Sequence, residues 1–385
     1  MCGKERVDVM KIGFIACARK QSGIAEYCRD LRKALDTSNN ISTFLVSGRC
    51  YCSSLINHGH YPCVAFHDSW FERYILGVIQ LVVSKLLRNF KPRLLYRGWN
   101  YKRSMSFHHP DIVHYQMDRE IFGVYPLWIL SRGRNFGLIA TLHEFEFEIN
   151  KHIYSKVFKN LDRIIVHSEY SKNKVLNYLD DGHKIVFIPH GTWCDEELEE
   201  QRSQISIFGI HSQFKRYESV IDAVEIIKIK FKKNVAIHFY GYIEESTMKR
   251  YTDILKAKKL ENAIIFHGSI SEDAFHQCIR HSLFIITPYE DSHASGIILK
   301  AMGHGTPVLS SRVGSIPEYL GEMGEYFSLE DPVSLAEKII LLMEYPSKRK
   351  SIGRGLWQKA KSEYAWDIVA EKTLQVYREV LENNI

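Results

Sequence analysis

Apolar and polar residues follow two different periods along this chain, and the two periods alternate almost from end to end. Short β-branched runs stand at KIGFIACA (11–18), ISTFLV (41–46), DIVHY (111–115), GLIATL (137–142), RIIVHS (163–168) and KIVFIP (184–189). Further runs follow at SIFGI (206–210), VAIHFYG (235–241), AIIFHGS (263–269), LFIITP (283–288) and PVLSS (307–311). Between them lie longer stretches with helical spacing, predicted as helices at Gly23–Leu35 and near 217–231, 244–259, 271–281, 296–304 and 332–344. WDIVAEKTLQVYREVL (366–381) reads as one long amphipathic helix with Ile368, Val369, Leu374, Val376, Tyr377 and Leu381 on its apolar stripe. Strand–helix alternation of this kind predicts parallel sheets, because only a crossover joins parallel neighbours. The alternation runs twice, so the fold class expected is α/β with two doubly wound, Rossmann-like domains facing each other across a cleft. The expected domains are 1–193, 194–365 and a terminal helix, 366–385, with a solvated linker in CDEELEEQRS (194–203).

A chain of 385 residues with 45% apolar and 25% charged residues suits two globular domains and excludes a disordered or low-complexity protein. Charge changes the picture more than composition does. Residues 1–190 hold 27 Lys+Arg against 17 Asp+Glu, and residues 191–385 hold 24 against 28. The net +6 therefore combines a basic first half with a mildly acidic second half, and the basic half is expected to meet something anionic. No secretion signal or N-myristoylation signal is seen, since Cys2 follows the first methionine, and MKIGFIACA at Met10 resembles a natural start. The apolar stretch Tyr74–Leu87 is too short to cross a bilayer as a helix. A cytoplasmic protein with reduced thiols is expected, in one reading peripheral at the inner face of the membrane. Cys50, Cys52, His58, His60, Cys63 and His67 are metal-ligand types, but their CxC and HxH spacings are not those of common zinc sites, and no metal is expected.

In open α/β sheets ligands sit at the carboxyl ends of the strands, so the residues just after each strand are the candidates. Ser22 and Gly23 precede the first helix, either as an anion-binding approach or as a plain turn. His143 follows GLIATL, either as a proton donor or acceptor facing a ligand or as a structural histidine. Lys215 stands on the loop before the helix at 217, either meeting a diphosphate or simply solvated. In TPYEDSHASGIILKAMGHGTPVLSS, a polar loop ends in Ser295–Gly296–Ile297 and opens into a helix, an arrangement whose amides bind anions. Glu318, in IPE, either serves a ligand or complements the helix dipole.

With these motifs the sequence resembles the retaining glycosyltransferases of family 4, which have the two-domain GT-B fold. The resemblance runs from Lys11 to about Leu381 and is stronger in the second half. QSGIAEY matches the glycine-rich first loop weakly, IPHG (188–191) matches an isoleucine-proline-asparagine-glycine junction, and FGIHSQFK places Lys215 at the family lysine. KAMGHGTPVLSSRVGSIPE carries the alanine-methionine…glycine-proline-valine…proline-glutamate segment. Ser292 and Lys300 stand where the two family glutamates are expected, with Glu290 two residues before Ser292. Ser212 is nearest to the missing arginine, and Arg216 replaces the usual glycine. A lysine at 300 cannot accept the ribose hydroxyl bonds that the second glutamate commonly takes.

The resemblance implies transfer of a hexose from a nucleotide-diphosphate-sugar to an acceptor hydroxyl, with retention, in cell-surface glycan or glycolipid synthesis. Lys215, the Ser295–Gly296 helix start and Lys300 would neutralise the leaving diphosphate, with no cofactor and no metal; the chain holds no Asp-x-Asp. His143, Ser22 and Gly23 would line the acceptor side, and Glu290 or Ser292 would hold sugar hydroxyls. Between Glu72 and Asp111 lie eight basic residues and no acid, interleaved with Tyr96, Trp99, Tyr101 and Phe107. Residues 74–107 thus read either as an anionic-membrane surface for a lipid-linked acceptor or as a core helix and a solvated basic loop. Three other readings stay open: a nucleic-acid-modifying glycosyltransferase, a sugar-nucleotide epimerase, and a nucleotide-sugar-binding protein without catalysis.

Overall fold

The computed structural model describes residues 9–16, 23–38, 40–47, 63–65, 92–117, 121–145, 151–177, 179, 182–198, 201–210 and 215–383. The chain divides into two compact units, Met1–Pro189 with Trp366–Ile385, and His190–Ala365. The first unit runs β1 (Met10–Ala16), α1 (Gly23–Leu35), β2 (Ile41–Ser47), β3 (Cys63–Ala65), α2 (Pro92–His108), β4 (Ile112–Met117) and α3 (Ile121–Leu130). It continues β5 (Gly137–Leu142), α4 (Lys151–Phe158), β6 (Arg163–Val166), α5 (Glu169–Leu176) and β7 (Ile185–Phe187). The seven strands among its described residues lie in the order β3-β2-β1-β4-β5-β6-β7, all parallel. Strand order reverses between β1 and β4, which makes that the topological switch point. Every residue of β4 and β5 is buried, as expected for strands covered on both faces.

The second unit runs β8 (Gln204–Phe208), α6 (Tyr217–Lys230), β9 (Ile237–Tyr240), α7 (Glu245–Ala257), β10 (Ile264–Gly268) and α8 (Glu272–Arg280). Then come β11 (Ser282–Thr287), α9 (Gly296–Gly303), β12 (Val308–Ser311), α10 (Ile316–Leu320), β13 (Glu325–Phe327), α11 (Pro332–Glu344) and α12 (Pro346–Lys359). Its six parallel strands lie in the order β10-β9-β8-β11-β12-β13, switching between β8 and β11. Both sheets are therefore doubly wound. The short strands β3 and β13 and the helices α10 and α12 are elements that the periodicity did not predict, and it gave no bounds to α2, α3, α4 or α5; α2 is helical where one reading of 74–107 expected a solvated basic loop.

The closing helix, α13 (Trp366–Glu382), packs on α1 and belongs to the first unit. Trp366, Val369, Ala370, Thr373, Leu374, Val376, Tyr377 and Val380 form its buried face. The predicted stripe is shifted slightly: Ile368 and Leu381 stay partly exposed, and Trp366, Ala370 and Thr373 take the interior. A side chain at Gly137 would strike both Ile112 and Val380 at 2.6 Å, so this glycine is what lets α13 seat on the sheet. The seat is also hydrogen-bonded. The buried His114 ring contacts the Tyr377 hydroxyl at 2.6 Å through Nδ1 and Thr141 Oγ1 at 2.6 Å through Nε2. A neutral imidazole has one donor and one acceptor nitrogen, so one hydroxyl donates to the ring and the other accepts from it.

In the second unit, residues 194–203 are not a plain solvated connector. Asp195 accepts two bonds from the Arg280 guanidinium, at 2.9 and 2.8 Å, and one from His304 Nδ1 at 2.7 Å. Burial alone raises the Asp195 pKa, but His304 and Arg280 outweigh it and hold the carboxyl well below the usual carboxylate range. Arg202 ties the same segment to the sheet, donating to Thr306 Oγ1 at 2.5 Å and to the His304 carbonyl at 2.8 Å. One acid of this segment, Asp195, is thus a specific ion-paired anchor.

Burial, aided by the charge of His167, pushes the His114 pKa down to about 3. The unfolded chain takes up a proton near the ordinary histidine value of about 6.5 while the folded one does not. Stability is therefore complete above that pH and falls on acidification toward pH 3, by up to about 1.4 kcal/mol per pH unit from this group. Thermal unfolding followed from neutral to acid pH should show this slope. His114→Gln should be less stable at neutral pH and show a flatter acid dependence; an unchanged slope would contradict the assignment.

Candidate functional site

The carboxyl ends of β8, β9 and β10 are held together by glycines. Gly209 (φ +113°) follows β8 and Gly241 (φ +152°) follows β9, both in conformations that disfavour any side chain. Gly209 N–H donates to the Tyr240 carbonyl at 2.9 Å, and Gly241 N–H donates to the Gly268 carbonyl at 2.8 Å. A Cβ at Gly241 would lie 1.9 Å from the Gly209 carbonyl oxygen. A Cβ at Gly209 would lie 2.8 Å from Lys215 Nζ and 2.9 Å from Ile297 Cδ1. Lys215 and the first turn of α9 therefore converge on the same bare backbone.

Lys215 is fixed in this place by its own main chain, which forms an isolated antiparallel bridge with Tyr289. Its ammonium donates to the Ile210 carbonyl at 2.9 Å and lies 5.3 Å from the centre of the Tyr289 ring. Burial pushes the Tyr289 pKa up to about 12, with a hydrogen bond to Ser295 pulling the other way. The Tyr289 backbone is pinned in turn: its N–H donates to Ser311 Oγ at 3.1 Å, and the Ser311 hydroxyl donates to its carbonyl at 2.5 Å. Ser295 caps α9, its Oγ accepting from Ile298 N–H at 3.3 Å. The Gly296 and Ile297 amides fall in the turn that has no intrahelical acceptor. A positive side chain and a positive helix end thus stand side by side.

The remaining candidates of this unit have specific places. Glu290 is ion-paired with Arg216, Oε1 to Nη1 2.9 Å, a contact between two exposed groups that also draws in Glu330 at 3.9 Å. Ser292 is buried, and its carbonyl accepts from Ser315 N–H at 2.9 Å. Gly314 (φ +53°) makes room for this, because a Cβ there would meet the Ser292 oxygen at 2.3 Å. Lys300 lies a turn further along α9, with its ammonium 5.1 Å from the centre of the Phe275 ring on α8. Glu318 sits in the first turn of α10, and its carbonyl accepts from Lys359 Nζ at 2.8 Å.

The structure adds His190, a residue quoted above only as part of the IPHG junction. Its Nδ1–H donates to the Gly191 carbonyl at 2.8 Å, and its Nε2 stands 3.6 Å from the Cβ position of Gly296. Burial pushes its pKa down to about 4; the Gly191 carbonyl opposes this and the Lys300 charge adds to it. His190 is therefore neutral near pH 7, with its Nε2 lone pair at the start of α9. Gly303 repeats the device at the other end of the helix, where a Cβ would meet the Trp193 carbonyl at 2.3 Å. Gly303 thus lets the Trp193 backbone lie against α9, while at Gly296 the His190 ring sits at ordinary contact distance.

In the first unit, Gly23 opens α1, and among the described residues nothing lies within 4 Å of its Cβ position. Ser22 lies outside the described residues, as do Ser212, residues 74–91 and all of the cysteine–histidine group except Cys63. His143 follows β5 and is buried, with Tyr27 edge-on at 4.7 Å. His143 Nε2 lies 2.8 Å from Gln116 Oε1 and Nδ1 lies 3.3 Å from His167 Nε2, while His167 Nδ1 donates to the Ile188 carbonyl at 2.9 Å. With oxygen acceptors at both outer nitrogens, the two inner nitrogens face each other bare unless one extra proton lies between them. The other solution turns the Gln116 amide so that it donates to His143. In both arrangements the two ring nitrogens of His143 are engaged inside the unit.

Two family profiles match the chain: "Glycosyltransferase Family 4" over residues 22–196 and "Glycosyl transferases group 1" over residues 202–345. The chain is 24% identical over 254 residues to the uncharacterized glycosyltransferase MJ1178 of Methanocaldococcus jannaschii, covering 63% of this chain and 68% of that one. It is 32% identical over 209 residues to spore coat protein SA of Bacillus subtilis, covering 49% of this chain and only 55% of that protein. Among solved structures, Anabaena Alr3699/HepE in complex with UDP and glucose superimposes with a TM-score of 0.75 at 15% identity, covering 96% of this chain and all of that one.

The convergence at Gly209 is directly testable. Gly209→Ala forces an L residue into the left-handed region and a methyl into the Lys215 ammonium, at a cost of roughly 1–3 kcal/mol from the backbone alone. The expected result is a lower unfolding temperature together with an altered Lys215 environment by NMR. Wild-type values in both measurements would contradict the packing described.

Proposed function

Because this chain belongs to glycosyltransferase family 4, the glycosyl transferases group 1 with the GT-B fold, we propose that it transfers a hexose from a nucleoside diphosphate sugar to an acceptor hydroxyl, with retention. The observation that carries the donor assignment is the Lys215 ammonium beside the first turn of α9. In the transfer, the bond from the anomeric carbon to the β-phosphate oxygen breaks and a bond to the acceptor oxygen forms. The electron pair leaves with the diphosphate, so negative charge grows there while the sugar ring becomes cationic. Lys215 and the Gly296 and Ile297 amides offset the growing charge in place, without reorganising as the bond breaks. The acceptor proton passes to the departing phosphate, which gains basicity as it leaves.

Several features support this reading. The Anabaena neighbour was crystallised with UDP and glucose. Neutral His190 adds a hydrogen-bond acceptor at the helix start, suited to a sugar or phosphate-bound hydroxyl. Ser292 and Glu290 extend the same loop toward the sugar, and Lys300 adds positive charge one turn along α9. With this much fixed positive charge the reaction is expected to run in the presence of chelator. A glycan or lipid-linked acceptor for cell-surface synthesis is the class proposed, with Gly23 and His143 on the acceptor side.

One observation favours a second reading, a nucleotide-sugar-binding protein without transfer. Glu290 is engaged by Arg216, and both nitrogens of His143 are used internally. The two readings separate on a single assay: a binding protein is stabilised by donor but releases no nucleoside diphosphate with any acceptor.

A thermal-shift panel of nucleoside diphosphates and nucleotide sugars tests the donor class. One ligand family should raise the unfolding temperature. Lys215→Ala should weaken that ligand at least about tenfold and slow transfer by roughly a hundredfold, while the unliganded midpoint stays close to wild type. A panel without any stabilising ligand, or an unaffected Lys215→Ala, would refute the assignment.

A further inference from the structure

The face of α2 turned to solvent has an unusual composition for an exposed helix. Gly98, Tyr101, Ser104 and Met105 are buried, and α2 lies so close to α3 that a Cβ at Gly98 would meet Ile129 and Pro126 at 2.9 Å. The opposite face carries Trp99, Arg103, Ser106 and Phe107. Trp99 is 68% exposed and Phe107 is 79% exposed, with Arg103 between them. Spacings of four residues put these three side chains on one stripe, about 12 Å long at 1.5 Å per residue. Arg97 is also exposed, and Lys102 reaches across to the Arg132 carbonyl, whose own guanidinium lies 4.1 Å from the centre of the Trp128 ring.

Among the described residues, two acids of this unit are already engaged. Asp111 accepts from Lys11 N–H at 2.7 Å, and Asp162 takes both arms of Arg134 at 2.7 and 2.8 Å. From Arg73 to Pro110 the sequence contains no acid at all. The stripe therefore carries two aromatics around an arginine, in a stretch of sequence that is basic and free of acids.

We propose that this face of α2 docks on an anionic lipid bilayer, with Trp99 and Phe107 inserted at headgroup depth and the arginines on lipid phosphates. Tryptophan with one polar edge suits the interface, and neither aromatic contact nor charge alone gives firm peripheral attachment, whereas the two together do. Each arginine near such a surface adds about 1 kcal/mol, roughly fivefold in affinity. A single-stranded nucleic acid is the other partner that combines aromatics with positive charge, but it is gripped along a groove. Here the residues stand on the outward side of a helix, which meets a plane and not a strand. The inference does not rest on the sugar-transfer reading.

Co-sedimentation of the full chain with vesicles tests it. Wild type should bind vesicles containing phosphatidylglycerol and not vesicles of phosphatidylcholine alone. Trp99→Ala with Phe107→Ala should weaken that binding at least about tenfold, and Arg103→Ala about fivefold, with unchanged unfolding temperatures. Four results would each overturn the proposal. These are no binding by wild type, equal binding to neutral vesicles, wild-type binding by the double variant, or tighter capture by single- or double-stranded DNA than by anionic vesicles. Because no step involves the donor, failure here leaves the nucleotide-binding result untouched, and the reverse also holds.

Discussion

Lys215 holds its position because two neighbouring strand ends carry no side chains. Gly209 and Gly241 touch backbone to backbone, and the space this leaves admits an ammonium on one side and the first turn of α9 on the other. Replace either glycine by any L residue and the two positive elements can no longer share that place. Parallel sheet architecture supplies the rest. Every crossover brings a loop and a helix start to the same edge, so a doubly wound sheet gathers free amides where its strands end. In this unit the gathering is unequal: the loop after β11 is fastened to β12 through Tyr289 and Ser311, and that fastening sets the start of α9.

The first unit solves a different problem, the burial of histidines. His114, His143 and His167 all lie in its interior, and their nitrogens find partners from β4, β5, α13 and the Ile188 carbonyl. Unpaired buried nitrogens would each be costly, so the network constrains which protons the rings carry. His114 thereby anchors α13 through Tyr377, and the chain's last helix becomes part of its first unit.

Much of this architecture could be read from periodicity. The boundaries of α1 and α11 follow the amphipathic pattern residue for residue, because each begins at a glycine or proline and carries a regular apolar face. α12 escaped because Gly353 and Gly355 interrupt PSKRKSIGRGLWQK, and Gly353 is needed for packing: a Cβ there would meet the Gly305 carbonyl at 2.2 Å. β3 and β13 escaped because three residues are too few to show a period. Segment 194–203 reads as a linker by composition, yet Asp195 is committed to partners 85 and 109 positions away. At the site, Lys215 and the Ser295–Gly296 start stand out locally, one by family resemblance and one by motif. His190 does not, since its role comes from lying beside Gly296, more than a hundred residues along the chain. The pairing of Glu290 with Arg216 is hidden for the same reason.

Diffraction from crystals grown with a nucleoside diphosphate measures the central claim most directly. The account predicts the diphosphate at the start of α9, its oxygens within hydrogen-bonding distance of the Gly296 and Ile297 amides and of Lys215 Nζ. A diphosphate bound elsewhere on the second unit, with Lys215 still donating to the Ile210 carbonyl, would contradict it.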